Sequence, residues 1–128
     1  MNILAIDYGK KRIGLAWMQE GLDVVLPFGT IVEEKGKTSK EKLLSLIKEE
    51  CIEKIVIGLP LGLDGKENDN TKKVRDFVEE LKKEINISVE FIDERFSSLG
   101  ADAMGGSVSR DEKAAMLILQ SYLDKNSQ

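Results

Sequence analysis

Three acidic side chains stand where a carboxylate could do chemistry: Asp7, where the first apolar run stops, Glu94, just past a later apolar run, and Asp111, at the start of a helical stretch. In α/β sheets the carboxyl ends of strands deliver ligand-binding groups to one rim. Carboxylates held together there repel one another and push their pKa values up. A divalent cation removes that cost, and Mg²⁺ (or Mn²⁺) favours carboxylate oxygens together with retained waters and substrate phosphates. Such a cation polarises a phosphodiester and lowers the pKa of an attacking water, and a pair of cations would stabilise both the entering and the leaving oxygen. The chain has no histidine. That excludes histidine acid/base chemistry, Ser-His-Asp and Cys-His machinery and histidine-ligated zinc, leaving carboxylates, lysine, hydroxyls or a bound hard metal.

Each acid also has an ordinary role open to it. An Asp after a strand caps a turn through its own backbone, an Asp in a first helical turn is favoured by the helix dipole, and Glu94 between Asp93 and Arg95 suits a surface ion pair. Asp93 and Glu94 point in opposite directions if the strand persists, and spacing alone leaves the choice between them open.

The elements that must position these acids follow from periodicity. Ile3 to Ile6 is a β-like run, residues 8–12 a tight turn, and Ile13 to Met18 a second strand. A third extended segment runs near Val24 to Ile31, where Pro27 points to an edge or an irregularity. Leu43, Leu44, Ile47 and Cys51 recur at helical spacing, which makes Cys51 a buried small hydrophobe rather than a nucleophile. Ile55-Val56-Ile57-Gly58 is a buried strand. Val74, Phe77, Val78, Leu81 and Ile85 mark a second amphipathic helix, and Val89 to Ile92 a fifth strand. The helix from about 111 to 123 is apolar from Ala114 through Leu119, which predicts burial on most sides, and Ser109 with Glu112 forms a capping box at its start. Strands 1, 4 and 5, joined by crossover helices, are expected as parallel neighbours in a sheet covered on both faces.

At 128 residues the chain suits one domain. Its 41% apolar content supports a continuous core. The net charge of −4, from 19 basic and 23 acidic residues, counts against a protein that wraps nucleic acid non-specifically. It leaves room for an enzyme with one local basic patch. No basic leader is visible and no run approaches the roughly 18 apolar residues a spanning helix needs, so a cytoplasmic protein without membrane contact is expected.

Lys10, Lys11, Arg12 and Arg95 form a basic group beside the acidic rim, suited to phosphate contacts that position a backbone. For Lys10 and Lys11 a solvated turn is the plain alternative. Ser97 and Ser98 cap a short following helix or donate to a phosphate. Tyr8 is a candidate for stacking on a base, whereas Trp17 in its strand suits core packing. Gly9 is read as permitting a positive φ or close phosphate approach, Gly14 as packing beside the first strand, and Gly58 and Gly62 as leaving space near the site.

The segment Ile6-Asp7-Tyr8-Gly9-Lys10-Lys11-Arg12-Ile13-Gly14-Leu15-Ala16 resembles the signature of the YqgF/RuvX family. So, in the same order, do Ile57-Gly58-Leu59-Pro60 with Gly65, Asp93-Glu94-Arg95-Phe96-Ser97-Ser98 with Ala101, and Asp111 with Ala114-Ala115 and Ile118 to Leu123. The resemblance spans almost the whole chain. It implies one ribonuclease H-like domain over residues 1–128, an α/β fold with a five-stranded mixed sheet flanked by helices. It maps the family's catalytic and metal-holding acids onto Asp7, Glu94 and Asp111, and so selects Glu94 over Asp93. The implied activity is divalent-metal-dependent endonucleolytic maturation of the 16S rRNA precursor at its 5′ end. Its alternatives are Holliday junction resolution on branched DNA and a non-catalytic nucleic-acid-binding role in ribosome assembly. The implied partner is precursor rRNA or another structured or branched nucleic acid, met by a monomer or weak dimer. The chain departs from the pattern in the short connection over residues 102–110, where family members carry a longer and often basic one. A nucleotide-binding protein of the actin and sugar-kinase type shares the acid–glycine turn, but normally needs two lobes to enclose ATP.

Overall fold

A computed structural model of the chain describes residues 2–9, 11–22, 24–33, 38–62, 64–93 and 110–126. These form β1 (Asn2–Tyr8), β2 (Arg12–Gln19), β3 (Leu26–Val32), α1 (Ser39–Glu49), β4 (Ile52–Leu59), α2 (Asp69–Lys82), β5 (Ser88–Asp93) and α3 (Arg110–Asn126). The strands make one mixed sheet in the order β3-β2-β1-β4-β5. The β1–β2–β3 meander is antiparallel, while β1, β4 and β5 run parallel. Strand β4 thus lies between β1 and β5, as the crossover reading requires. Pro27 falls on the edge strand β3, beside a register shift opposite Leu15 and Ala16, where its missing N–H costs no ladder bond.

Side-chain alternation assigns the two faces of the sheet. Leu4 and Ile6, Ile13 and Leu15, and Ile55 and Ile57 pack with Leu43 and Ile47 of α1 and Val74, Val78 and Leu81 of α2. On the opposite face Ile3 and Ala5, Ala16 and Met18, Val56 and Ile92 pack with Ala115, Ile118 and Leu119 of α3. One face is therefore built from branched aliphatic side chains beneath two helices. The other mixes the small residues Ala5 and Ala16 with larger apolar ones beneath one.

The helices start on side-chain caps. Thr38 accepts from the Glu41 amide at 3.1 Å. At α2, Asn68 Oδ1 accepts from the amides of Asn70 at 3.0 Å and Thr71 at 3.2 Å, and Thr71 Oγ1 accepts from the Asn68 amide at 3.1 Å, closing a capping box. Thr71 is fully buried, and its hydroxyl also donates to the Pro60 carbonyl. That bond ties the first turn of α2 to the end of β4.

Two expectations are corrected. Cys51 is exposed rather than buried. It sits between α1 and β4 with φ of 53°, the left-handed position after a helix C-cap, where its side chain is turned out of the core. The last helix is buried along one face only, since Gln120 and Ser121 are exposed and Ala114 and Leu117 partly so. Its run of apolar residues exceeds what one sheet face can cover. The capping box at Ser109 and the short helix after β5 lie outside the described residues. No helix among the described residues is long and apolar enough to cross a membrane.

Candidate active site at the rim of the sheet

Asp7 is the penultimate residue of β1. It shares the parity of Ile3 and Ala5, so it faces α3 rather than the α1/α2 layer. Directly opposite on β2 stands Gly14. On the other side, one step beyond the Ile6–Ile57 pair, comes Gly58, which is buried and faces α3 like Val56. The acid is thus flanked on its own face by two residues without side chains.

Gly14 explains how Asp111 is placed. A Cβ on Gly14 would lie 2.0 Å from the Asp111 carbonyl oxygen and 2.9 Å from the Asp111 Cβ. The first turn of α3 rests on bare backbone there, and any side chain would lift it. Cross-strand Cβ positions in an antiparallel pair are about 5 Å apart, so the Cβ atoms of Asp7 and Asp111 lie within roughly 8 Å of each other. The sheet and the helix bring these two acids, distant in sequence, to one face and one rim. Both are half-buried, and Asp7 has an interaction partner of its own.

Glu94, Lys10, Arg95, Ser97 and Ser98 lie outside the described residues. Among the described residues no group of three acids or other ligating side chains that could hold a metal is found. Asp93 ends β5 with the parity of Val89 and Phe91, which pack on the α1/α2 side, so it faces away from Asp7 and Asp111. Lys11 and Arg12 are exposed at the β1–β2 turn, at the same rim. Trp17 is half-buried and packs edge-on against Phe28 at 5.9 Å, the core role expected of it. Tyr8 turns to the other face and stacks on Phe77 with ring centroids 4.3 Å apart.

Two glycine readings change and a third gains a partner. Gly9 has no positive φ; its bareness admits the Arg12 carbonyl, 2.5 Å from where a Cβ would stand. Gly14 stands beside β1 as read from the sequence, and what packs closely on it is α3. Gly62 accommodates Asp64 Oδ1, at 2.8 Å from a would-be Cβ, within its own loop. The Gly14 contact could have been read from the parity it shares with Ala16, since two small residues on one face of a strand admit a close helix.

A second carboxylate on the α3 face, Glu90, is accounted for differently. It pairs with Lys54 at 3.7 Å and Lys125 at 4.0 Å, and its Oε2 is buried without a hydrogen bond. Interaction with Tyr122, chiefly hydrogen bonding, and then with Glu90 raises the Lys54 pKa against the effect of burial. The Lys54 ammonium also lies 4.7 Å from the centre of the Tyr122 ring. This network fastens α3 to β4 and β5, further from the rim than Asp7.

Five mixed strands with helices on both faces, and acids at the end of the central β1 and the head of the covering helix, define a ribonuclease H-like architecture. The fold is shared with a Holliday junction resolvase of fowlpox virus, at 13% identity and a TM-score of 0.63, covering 98% of this chain and 99% of that one. It is shared equally with Thermus thermophilus RuvC in complex with a Holliday junction substrate, at 14% identity and 0.61, covering 99% and 97%. The chain belongs to the RuvX family, whose model, described as Holliday junction resolvase, matches residues 1–125. A relative from Dictyoglomus turgidum, named “Putative pre-16S rRNA nuclease”, is 38% identical and covers 99% of this chain and 96% of its own. One of the same name from Fusobacterium nucleatum is 37% identical, covering 94% and 95%. The first of these alignments runs over 137 positions against 128 residues here, a difference of nine, so that relative carries internal residues this chain lacks.

Proposed function

We propose that residues 1–128 form a single divalent-metal-dependent endonuclease domain, a hydrolase of phosphodiesters in structured nucleic acid, with 5′ maturation of the 16S rRNA precursor as its reaction. The observation that carries this reading is the seating of Asp111 on Gly14, the cross-strand partner of Asp7, which gathers two carboxylates on one face at the sheet rim. The donor set fits a hard cation, because both groups offer oxygen, and Gly58 beside Asp7 adds no side chain to that face. Asp7 and Asp111 would hold the cation, joined by Glu94. When bound, the cation supplies charge neutralisation at the phosphodiester. The chain's own part is to fix the acids on rigid elements and to hold the backbone through Lys11 and Arg12, with Lys10, Arg95, Ser97 and Ser98 as further phosphate contacts.

The names of the relatives support the rRNA substrate. The family description and the resolvases of like fold support a second reading, in which the same site cuts branched DNA. A cleavage assay with Mg²⁺ or Mn²⁺ on structured RNA, single strands and four-way DNA junctions separates the two. Asp7→Asn is expected to lower metal-dependent cleavage at least about a hundredfold with the fold intact, the scale on which one lost charge-stabilising group acts. Unchanged turnover in that variant would remove the assignment, and no cleavage by the unaltered protein on any substrate would leave the non-catalytic binding role.

A further inference from the structure

Beside Asp7 but on the opposite face of the sheet lies a cavity of about 340 Å³, lined by Tyr8, Gly9, Pro60, Asn70, Lys73 and Val74. Its volume is at the low end of the roughly 300–1,000 Å³ of small-molecule sites, room for one nucleotide-sized group. We infer that this cavity receives an unpaired nucleotide flanking the cleaved bond, its base against Tyr8 and its phosphate at Lys73. The inference rests on the nuclease reading for its substrate class and on the cavity for its location.

The walls have the chemistry of a base pocket. Tyr8, Pro60 and Val74 supply apolar surface, and Tyr8 is held by its stack on Phe77. Phe77 does not line the cavity, so it backs the Tyr8 ring from outside. A pre-fixed ring loses little freedom when a base packs on it. The Asn70 side chain forms no hydrogen bond among the described residues, while its backbone N–H donates to Asn68 Oδ1. A free amide offers both a donor and an acceptor to a base edge. Lys73 forms no ion pair among the described residues, whereas Lys40, Lys54, Lys83 and Arg75 all do. None of the six described residues lining it is acidic, in a chain with 23 acids.

The walls are also tied together. Pro60 directly follows β4 and Asn70 lies in the first turn of α2, where the buried hydroxyl of its neighbour Thr71 donates to the Pro60 carbonyl. Tyr8 follows Asp7 directly and points the other way. A strand of nucleic acid crossing the end of β1 would therefore present one phosphate to Asp7 and the next nucleotide to the cavity.

The test is an NMR titration of the full chain, without divalent cation, using adenosine 5′-monophosphate, uridine 5′-monophosphate, ribose 5-phosphate and inorganic phosphate. Saturable shifts with the nucleotides are expected at Tyr8, Gly9, Asn70, Lys73 and Val74. Ribose 5-phosphate should bind about tenfold or more weakly, the scale of base–aromatic stacking, which reads the Tyr8 contribution without altering its packing. Lys73→Ala should weaken nucleotide binding about two- to fivefold, as one exposed charge contact would, and Lys73→Arg should restore it. In cleavage assays Lys73→Ala should raise KM more than it lowers kcat. Nucleotide shifts absent from these residues, or equal binding of nucleotide and ribose 5-phosphate, would overturn the inference. Asp7→Asn keeps the cavity intact, so nucleotide binding by that variant reports on the pocket independently of whether the nuclease reading holds.

Discussion

The two faces of the sheet solve the same burial problem with different side chains, and the difference decides where chemistry can sit. Beneath α1 and α2 the strands offer Leu4, Ile6, Ile13, Leu15, Ile55 and Ile57, bulky groups that hold the helices at a distance and leave a cavity at the rim. Beneath α3 they mix Ile3, Met18 and Ile92 with Ala5, Gly14, Ala16 and Val56, and the helix meets the small residues with Ala115. Small residues let the helix backbone settle onto the strands, as close packing without voids requires. The α3 face thereby fixes one acid relative to another through backbone contact, while the α1/α2 face is suited to holding a ligand.

The comparison breaks most sharply at Gly14. Gly14→Ala places a methyl group 2.0 Å from the Asp111 carbonyl oxygen, so α3 must rise. Overpacking of this kind costs about 1–3 kcal/mol, measurable by urea denaturation. Displacement of Asp111 by about 1 Å is expected to slow cleavage on the order of a hundredfold, as for a misplaced reacting group.

On the other face Thr71→Val keeps the shape of the side chain but leaves the Pro60 carbonyl and the Asn68 amide without their hydroxyl partner. The expected loss is about 1–3 kcal/mol, read as a lower denaturation midpoint, without the separation of Asp111 from Asp7 that Gly14→Ala forces. Equal damage to catalysis by both variants would contradict the division of labour between the faces.

A smaller effect tests how α3 is held. Lys54→Met removes the cation from Glu90 and Tyr122 at a partly buried site, and about 1 kcal/mol is expected. The Lys54 pKa is raised above its ordinary value of 10.5 in the folded chain. The folded state therefore binds that proton more tightly, and its contribution is fully present below pH 10.5 and lost as pH rises through the higher folded value. The stability gap between the unaltered protein and Lys54→Met should stay constant through neutral pH and narrow only at that alkaline end.

Much of this arrangement is legible in the sequence. The β-branched run Ile55-Val56-Ile57 marks a central strand because only burial on both faces tolerates it, and the alternation before Asp7 places that acid at a strand end. The helical spacing of Asp111, Ala115 and Ile118 puts the acid on the sheet-facing side. Other features depend on tertiary neighbours. Gly14 meets Asp111 only once α3 crosses β2, so local sequence shows a glycine without showing what it admits. The box of Asn68 and Thr71 lacks the Glu or Gln by which such caps are usually recognised. Cys51 continues a helical spacing of apolar residues, yet the chain turns left-handed there to enter β4, and spacing carries no sign of that reversal. The cavity at Tyr8 needs β1, β4 and α2 assembled before it exists.

The most direct test of the central claim is paramagnetic broadening by Mn²⁺ in an NMR titration of the intact chain, which locates a cation independently of cleavage. Broadening is predicted to centre on Asp7, Gly14, Gly58 and Asp111, to be displaced by excess Mg²⁺, and to vanish at these residues in Asp7→Asn. Broadening centred elsewhere on the acidic surface, or unaltered in Asp7→Asn, would contradict a metal site shared by these two acids.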